Sequence, residues 1–181
     1  MGSSAKPYIL GIDPGLSGAI AVVNWQSLKI IAIKDLPTFK TKSKARKQGY
    51  LSHIDVHALA MLIDFYAKDT LAAVLEDPGA MPSQGLSSTF RFGQVCGQVH
   101  GVLAGNYLPS VLVKPQVWKP QMGLTPSKNS SLERVMMLFP DSREYFSLKK
   151  HHDRAEAVLL AVYGIKHMPA VFNHLKKGIP L

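Results

Sequence analysis

Residues 8–15 read Tyr8-Ile9-Leu10-Gly11-Ile12-Asp13-Pro14-Gly15, an apolar run that ends on one carboxylate and a Pro-Gly turn. Large and β-branched residues over this length predict a buried strand. Pro14 and Gly15 stop it. Asp13 is thereby left at the rim of the core, where an unpaired carboxylate is costly. A cation should meet it there, and a metal ion is the best candidate. The competing reading is local, an Asp that opens an Asp-Pro-Gly turn by bonding its own backbone. The other acids of the chain bear on that choice.

Outward from this stretch, residues 18–24 resume a strand after a short turn, so a β-hairpin is the economical reading. Residues 28–36 predict a third strand, antiparallel to the second. Residues 40–48 carry Lys40, Lys42, Lys44, Arg46 and Lys47 without apolar periodicity. They predict an exposed flexible loop, or an arm that orders on a phosphate backbone. Helical spacing covers residues 53–67, with Val56, Leu59, Ala60, Ile63 and Tyr66 on one face and Asp55 as N-cap. Residues 71–75 form a second buried strand that ends at Glu76-Asp77-Pro78-Gly79. The first motif is repeated: apolar strand, acid, Pro-Gly. Two such strands side by side would bring Asp13 and Glu76 together.

A Gly/Ser/Pro-rich loop follows, then a helix capped by Ser87 or Ser88 and running to about residue 104. Gly93, Gly97 and Gly101 recur on it every four residues. Each glycine costs a helix about 1 kcal/mol, so the stripe predicts close packing against another element or a dimer mate. Phe90 and Phe92 read as core residues. A short strand is expected at 110–113, a proline-bounded turn of helix at 114–120, and a helix at 125–139 burying Leu132, Val135, Met136 and Phe139. Residues 142–150 read as a polar connection, or a short helical turn, with Tyr145, Phe146 and Leu148 packing down. The last helix spans 153–166. The tail to 181 shows no motif.

Asp153 and Glu156 stand three apart at the start of that last helix, so they share a face. Acids there also serve as capping groups favoured by the helix dipole. The helix is otherwise apolar on its inner side, and packing on the sheet would let Asp13, Glu76, Asp153 and Glu156 converge. Four like charges repel unless neutralised. Oxygen-only ligation suits Mg2+ or Mn2+ rather than zinc, and two such ions clamp a phosphodiester during hydrolysis. His151 and His152 lie beside the cluster, as exposed residues or as assistants to it.

Composition agrees with a nucleic-acid partner. Lys and Arg exceed Asp and Glu by 21 to 12 in 181 residues, giving +9 and a pI near 9.7. Small basic soluble proteins most often meet a polyanion. The 46% apolar content is that of a globular domain. No apolar run approaches a membrane span, and no signal leader is expected. A lone Cys96 excludes an intrachain disulfide and fits a reducing, cytoplasmic setting, bacterial, phage-infected or organellar. One nuclease-sized domain is expected over 8–166, with a flexible lead over 1–7 and a tail over 167–181.

The order of Gly-Ile-Asp-Pro-Gly on a strand, a strand ending in Glu, and Asp-x-Ala-Glu-Ala opening the final helix resembles the RuvC family of Holliday junction resolvases. The resemblance covers roughly residues 8–165. It implies an α/β, RNase H-like three-layer fold with a central mixed five-stranded sheet flanked by helices. It implies that Asp13, Glu76, Asp153 and Glu156 bind two Mg2+ or Mn2+ ions, with Glu156 in place of the family's usual Asp. Lys119 and Lys128 fall on its basic positions near the scissile phosphate, which matches the attraction of a lysine and a helix start for phosphate. The family's junction-wedging aromatic has no counterpart, since Gly79 stands near its position. Met81, Phe90 and Phe92 are the substitutes, with Arg91, Lys44, Arg46 and Lys47 as further DNA contacts.

The implied activity is symmetric nicking of four-way DNA junctions by a homodimer. A related nuclease of flaps or RNA–DNA hybrids is the alternative. Less favoured are an actin-like phosphotransferase fragment and an inactive DNA-binding module.

Overall fold

The computed structural model describes residues 6–44, 49–77, 79, 85–127 and 129–176, the side chains of His174 and Lys176 excepted. Strands β1 (Tyr8–Asp13), β2 (Ala19–Asn24) and β3 (Ile30–Asp35) form the expected antiparallel meander. The Pro-Gly turn between the first two closes on backbone groups: Gly15 N–H donates to the Asp13 carbonyl and Gly18 N–H to that of Gly15, both at 3.0 Å. The turn does not need the Asp13 carboxylate.

Strand β6 (Thr70–Glu76) lies parallel to β1, and β7 (Ser110–Val113) parallel to β6. The sheet order is β3-β2-β1-β6-β7, a mixed five-stranded sheet. Side chains alternate between its faces, and the alternation divides the core. Leu10, Ile12, Ile20, Val22, Ala73 and Leu75 face α1 (Val56–Ala67) and α2 (Leu86–Gly105). Ile9, Ala21, Val23, Ala72 and Val74 face α5 (His152–His167), which is covered in turn by α4 (Ser130–Leu138). Two apolar layers thus sandwich the sheet.

That parity positions the acids. Asp13 follows Ile9 and Gly11 at steps of two, and Glu76 follows Ala72 and Val74. Both carboxylates therefore leave the sheet on the α5 face. Gly11 pairs with Val74 and Ile12 with Leu75, which brings Asp13 level with Glu76 at the carboxyl ends of two parallel strands. Such ends are where open α/β sheets place ligands. Gly11 allows the helix close. A Cβ there would sit 1.9 Å from the Ala157 carbonyl oxygen and 2.5 Å from the Ala161 nitrogen.

Several expectations need correction. Part of the basic segment predicted as a loop is a strand: β4 (Thr38–Lys42) pairs antiparallel with β5 (Tyr50–Ile54) in a separate two-stranded sheet. Its side chains are mostly exposed, so no apolar alternation marked it. Cross-strand contacts hold it instead, with the Phe39 and His53 rings stacked at 5.3 Å and Thr41 Oγ1 2.9 Å from His53 Nε2. Residues 50–54 being strand, α1 begins only at Val56, capped as expected by Asp55, whose carboxylate accepts from Ala58 N–H.

Helix α2 is capped by Gly85 rather than by Ser87 or Ser88, and the N–H groups of Ser88 and Thr89 bond the Gly85 carbonyl. Its glycine stripe packs against no other element among the described residues. A Cβ added at Gly93, Gly97 or Gly101 would meet nothing within 4 Å among the described residues. Helix α4 starts at Ser130 because the Ser130 hydroxyl bonds the carbonyls of Thr125 and Ser127 and keeps 125–127 in a turn. The segment Pro140–Phe146 is a 3₁₀ helix that buries Phe146, while Tyr145 and Leu148 stay exposed. Three residues per turn leave only one side chain in three facing inward. Where no element was expected, α6 (Pro169–Lys176) inserts Phe172 into the core beside Gly164.

Candidate active site

Asp13 and Glu76 reach the site from the strand ends, and Asp153 and Glu156 from the first turn of α5. A short helix, α3 (Pro115–Gln121), supplies the basic side. It opens straight after β7 with Pro115 in the first turn, where a missing N–H costs nothing. Its Trp118 is completely buried and donates from Nε1 to Glu76 Oε1 at 3.2 Å. With that anchor, the next residue points its ammonium into the acids. Lys119 Nζ is 2.8 Å from Glu156 Oε2 and 3.3 Å from Glu76 Oε1.

Asp153 is buried, its Oδ1 2.8 Å from His152 Nε2, while its Oδ2 is buried with no hydrogen-bond partner among the described residues. The second ring nitrogen of His152 lies 3.2 Å from the Lys149 carbonyl. The other histidine of the pair is not an exposed residue. His151 is buried, and its Nδ1 accepts from Leu148 N–H at 3.3 Å. Burial, then the charges of Arg154 and Lys150, hold its pKa below the usual value.

The electrostatics describe one cluster. Burial pushes the Asp13 carboxyl well above the usual range, and the charges of Glu76, Asp153 and Glu156 push it further; Lys119 opposes them. Burial also raises Glu76, against the lowering effect of Lys119 and the Trp118 hydrogen bond. Burial alone would depress the Lys119 ammonium, but the hydrogen bond to Glu156 and the charge of Glu76 prevail and raise it. One lysine stands among four carboxyl groups, so their mutual repulsion is only partly offset within the chain.

Among the described residues, no three Asp, Glu, His or Cys side chains stand in ready-made ligating positions. Two of the four acids hold the lysine instead. The donor set still fits a hard divalent cation: all four donors are carboxylates, Asp13 is held among three other acids, and Asp153 Oδ2 is a buried oxygen awaiting a partner.

No family model matches the chain, and no curated protein matches it significantly. Solved structures do. Thermus thermophilus RuvC in complex with Holliday junction substrate aligns over 96% of this chain and 99% of its own, at 15% identity and a TM-score of 0.57. A second Thermus thermophilus RuvC structure aligns over the same shares at 0.51. The yeast mitochondrial Holliday junction resolvase Ydc2 aligns over 98% of this chain and 87% of its own, at 14% identity and 0.56. The fold is that of RuvC.

On this RuvC-like frame the predicted residues divide. Asp13, Glu76, Asp153, Glu156 and Lys119 come together. Lys128, Met81, Arg46 and Lys47 lie outside the described residues. Lys44 is exposed beyond the end of β4, Phe92 and Arg91 are half-buried on α2, and Phe90 stands 75% exposed rather than in the core.

Two site residues escaped the sequence reading: Trp118 bonds Glu76, and Arg154 grips Asp35 at the end of β3 with two 2.6 Å hydrogen bonds. That pair ties the first turn of α5 to the sheet. Nothing in the spacing of residues 35 and 154 signals it. His152, one of the two histidines read beside the cluster, bonds Asp153. No helix among the described residues is long and apolar enough to cross a membrane.

Proposed function

We propose that this chain is a metal-dependent endodeoxyribonuclease that nicks four-way DNA junctions. The observation that carries the reading is the convergence of Asp13, Glu76, Asp153 and Glu156 at the carboxyl ends of two parallel strands, with Lys119 held among them. The likeness of the fold to a RuvC in complex with Holliday junction substrate and to a yeast mitochondrial Holliday junction resolvase supports the choice of substrate.

Asp13, Glu76, Asp153 and Glu156 would hold two Mg2+ or Mn2+ ions. Bound there, the ions supply Lewis-acid polarisation of the phosphoryl group and acidify the attacking water. The chain's own groups do the rest. Lys119, within reach of a phosphate placed at the acids, would stabilise the charge that builds on its oxygens. Trp118 and the Asp35–Arg154 pair keep Glu76 and α5 in place. The exposed Lys40, Lys42 and Lys44 of the hairpin bind the DNA backbone. The open glycine face of α2 supports a homodimer, which would give two cuts on one junction.

The test is nicking of a labelled synthetic four-way junction with Mg2+, Mn2+ or EDTA, beside linear duplex, flap and RNA–DNA hybrid, with Asp13→Asn as control. Paired, metal-dependent cuts confined to the junction are expected. Cutting of only flap or hybrid moves the substrate while keeping the site. Junction binding without cutting, together with no heat of Mn2+ binding in calorimetry, reduces the chain to a DNA-binding module.

A further inference from the structure

The four acids are not held alike. Three of them have one carboxylate oxygen in contact with a nitrogen of the chain. Glu76 Oε1 faces Trp118 Nε1 at 3.2 Å and Lys119 Nζ at 3.3 Å, and Glu156 Oε2 faces Lys119 Nζ at 2.8 Å. Asp153 Oδ1 faces His152 Nε2 at 2.8 Å, while Oδ2 of the same carboxylate is buried with no hydrogen-bond partner among the described residues. Each of these carboxylates is thereby divided into one oxygen already engaged and a second one.

Two of the engaging groups are fixed by the fold. Trp118 is completely buried on α3, so its indole cannot turn away from Glu76 without disturbing a close-packed core. Its nitrogen is a donor only and cannot ligate a cation. The His152 ring is braced from its other side, where Nδ1 lies 3.2 Å from the Lys149 carbonyl. Lys119 differs, since its ammonium ends a flexible stem and is shared between two acids.

An engaged oxygen matters because hard cations use carboxylates differently. Ca2+ takes about 6–8 oxygens at about 2.3–2.6 Å and accepts both oxygens of one carboxylate. Mg2+ demands a near-ideal octahedron at about 2.0–2.1 Å and combines few carboxylates with water; Mn2+ also takes octahedral oxygen sites. A two-oxygen grip on Glu76 or Asp153 would draw the engaged oxygen off its nitrogen. For Trp118 that leaves a buried donor unsatisfied, which is costly. Ligation through one oxygen keeps both contacts.

We propose that His152 and Trp118 are positioning residues that confine Asp153 and Glu76 to ligation through one oxygen each, and so make the site favour a small octahedral cation over Ca2+. The proposal rests on the metal-dependent reading above and assigns its cation preference to two side chains outside the ligand set.

Titration calorimetry of the full-length protein with Mn2+ and with Ca2+, in the absence of DNA, reads that preference. His152→Leu removes the nitrogen, His152→Gln keeps an amide donor, and Trp118→Phe keeps a ring but loses the N–H. Mn2+ affinity of His152→Leu should fall about 10- to 100-fold while Ca2+ affinity holds or rises, so that the preference narrows. Trp118→Phe should move it the same way by less, since Lys119 also contacts Glu76 Oε1. His152→Gln should stay near wild type. The His152 side chain is 41% exposed, so its variants decide the matter even where Trp118→Phe fails to fold.

Equal losses for both ions in His152→Leu, or no change in either, overturn the proposal. A wild type that binds neither ion removes the metal reading and the proposal together. The expected shift in a protein that nicks no junction keeps the positioning role and sinks the nuclease.

Discussion

Gly11→Ala is the substitution on which the geometry of the site can be tested. The added methyl would lie 1.9 Å from the Ala157 carbonyl oxygen, against about 3.4 Å for an ordinary contact. The obstruction is backbone of α5, not the end of a flexible side chain, so about 1.5 Å of displacement has to be found between strand and helix. Overpacking of a close-packed core costs typically about 1–3 kcal/mol, and backbone against backbone should reach at least the top of that range. For a chain of this size 3 kcal/mol corresponds to a fall of about 6–12 °C in melting temperature.

The displaced helix carries Asp153 and Glu156, and the substituted strand carries Asp13. A 1 Å misplacement can cost about 100-fold in rate, so nicking should fall by about that factor even where the variant is fully folded. Gly93→Ala is the matched control, because a Cβ there meets nothing within 4 Å. In the monomer it should be neutral or stabilising by about 0.5–1 kcal/mol. Urea and thermal unfolding give the stabilities, and junction nicking below the unfolding range gives the rate. A Gly11→Ala protein within 0.5 kcal/mol of wild type and fully active would refute the claim that this glycine sets the distance between sheet and helix.

Three further outcomes follow from the cluster. Asp13 has a folded-state pKa above its unfolded value, through burial and then the charges of Glu76, Asp153 and Glu156. Its contribution to stability is therefore complete below the unfolded pKa and is lost as pH rises through the folded one. Metal-free protein in EDTA should melt lower as pH rises across that window, Asp13→Asn should flatten the trend while abolishing nicking, and a trend of the opposite sign would contradict the electrostatic account. Lys119→Met keeps the stem and removes the charge, so nicking should fall about 100- to 1,000-fold with junction affinity changed far less; a rate within fivefold of wild type would remove the lysine from the mechanism. Asp35 is held below its ordinary pKa by its hydrogen bonds to Arg154, which stabilise above the unfolded pKa and are lost as pH falls through the folded one. Because the pair is largely exposed, Asp35→Asn should cost no more than about 1 kcal/mol at neutral pH and progressively less as pH falls through the folded-state pKa, measured by urea titration across an acid series.

Local pattern was enough for a large part of this protein. Strands β1 and β6 each bury an unbroken apolar run and stop at an acid before Pro-Gly, so their type, their ends and the catalytic candidates Asp13 and Glu76 were legible from the chain alone. The i, i+3 spacing put Asp153 and Glu156 on one face of α5 for the same local reason. The β4–β5 hairpin was not legible, because a two-stranded ribbon stabilised by a ring stack and a hydroxyl–imidazole contact leaves no apolar alternation to read. The direction of the glycine stripe on α2 was equally hidden, since a pattern of small residues does not say whether its face meets protein or solvent.

Only the tertiary structure decided how the acids are neutralised within the chain: Lys119 reaches Glu76 and Glu156 because a buried Trp118 fixes α3, and residues 35 and 154 meet because the sheet edge and the start of α5 are folded together. Periodicity reports which side of an element is apolar. Distances between residues far apart in sequence depend on how closely the layers pack, and here that is set by the missing side chain of Gly11.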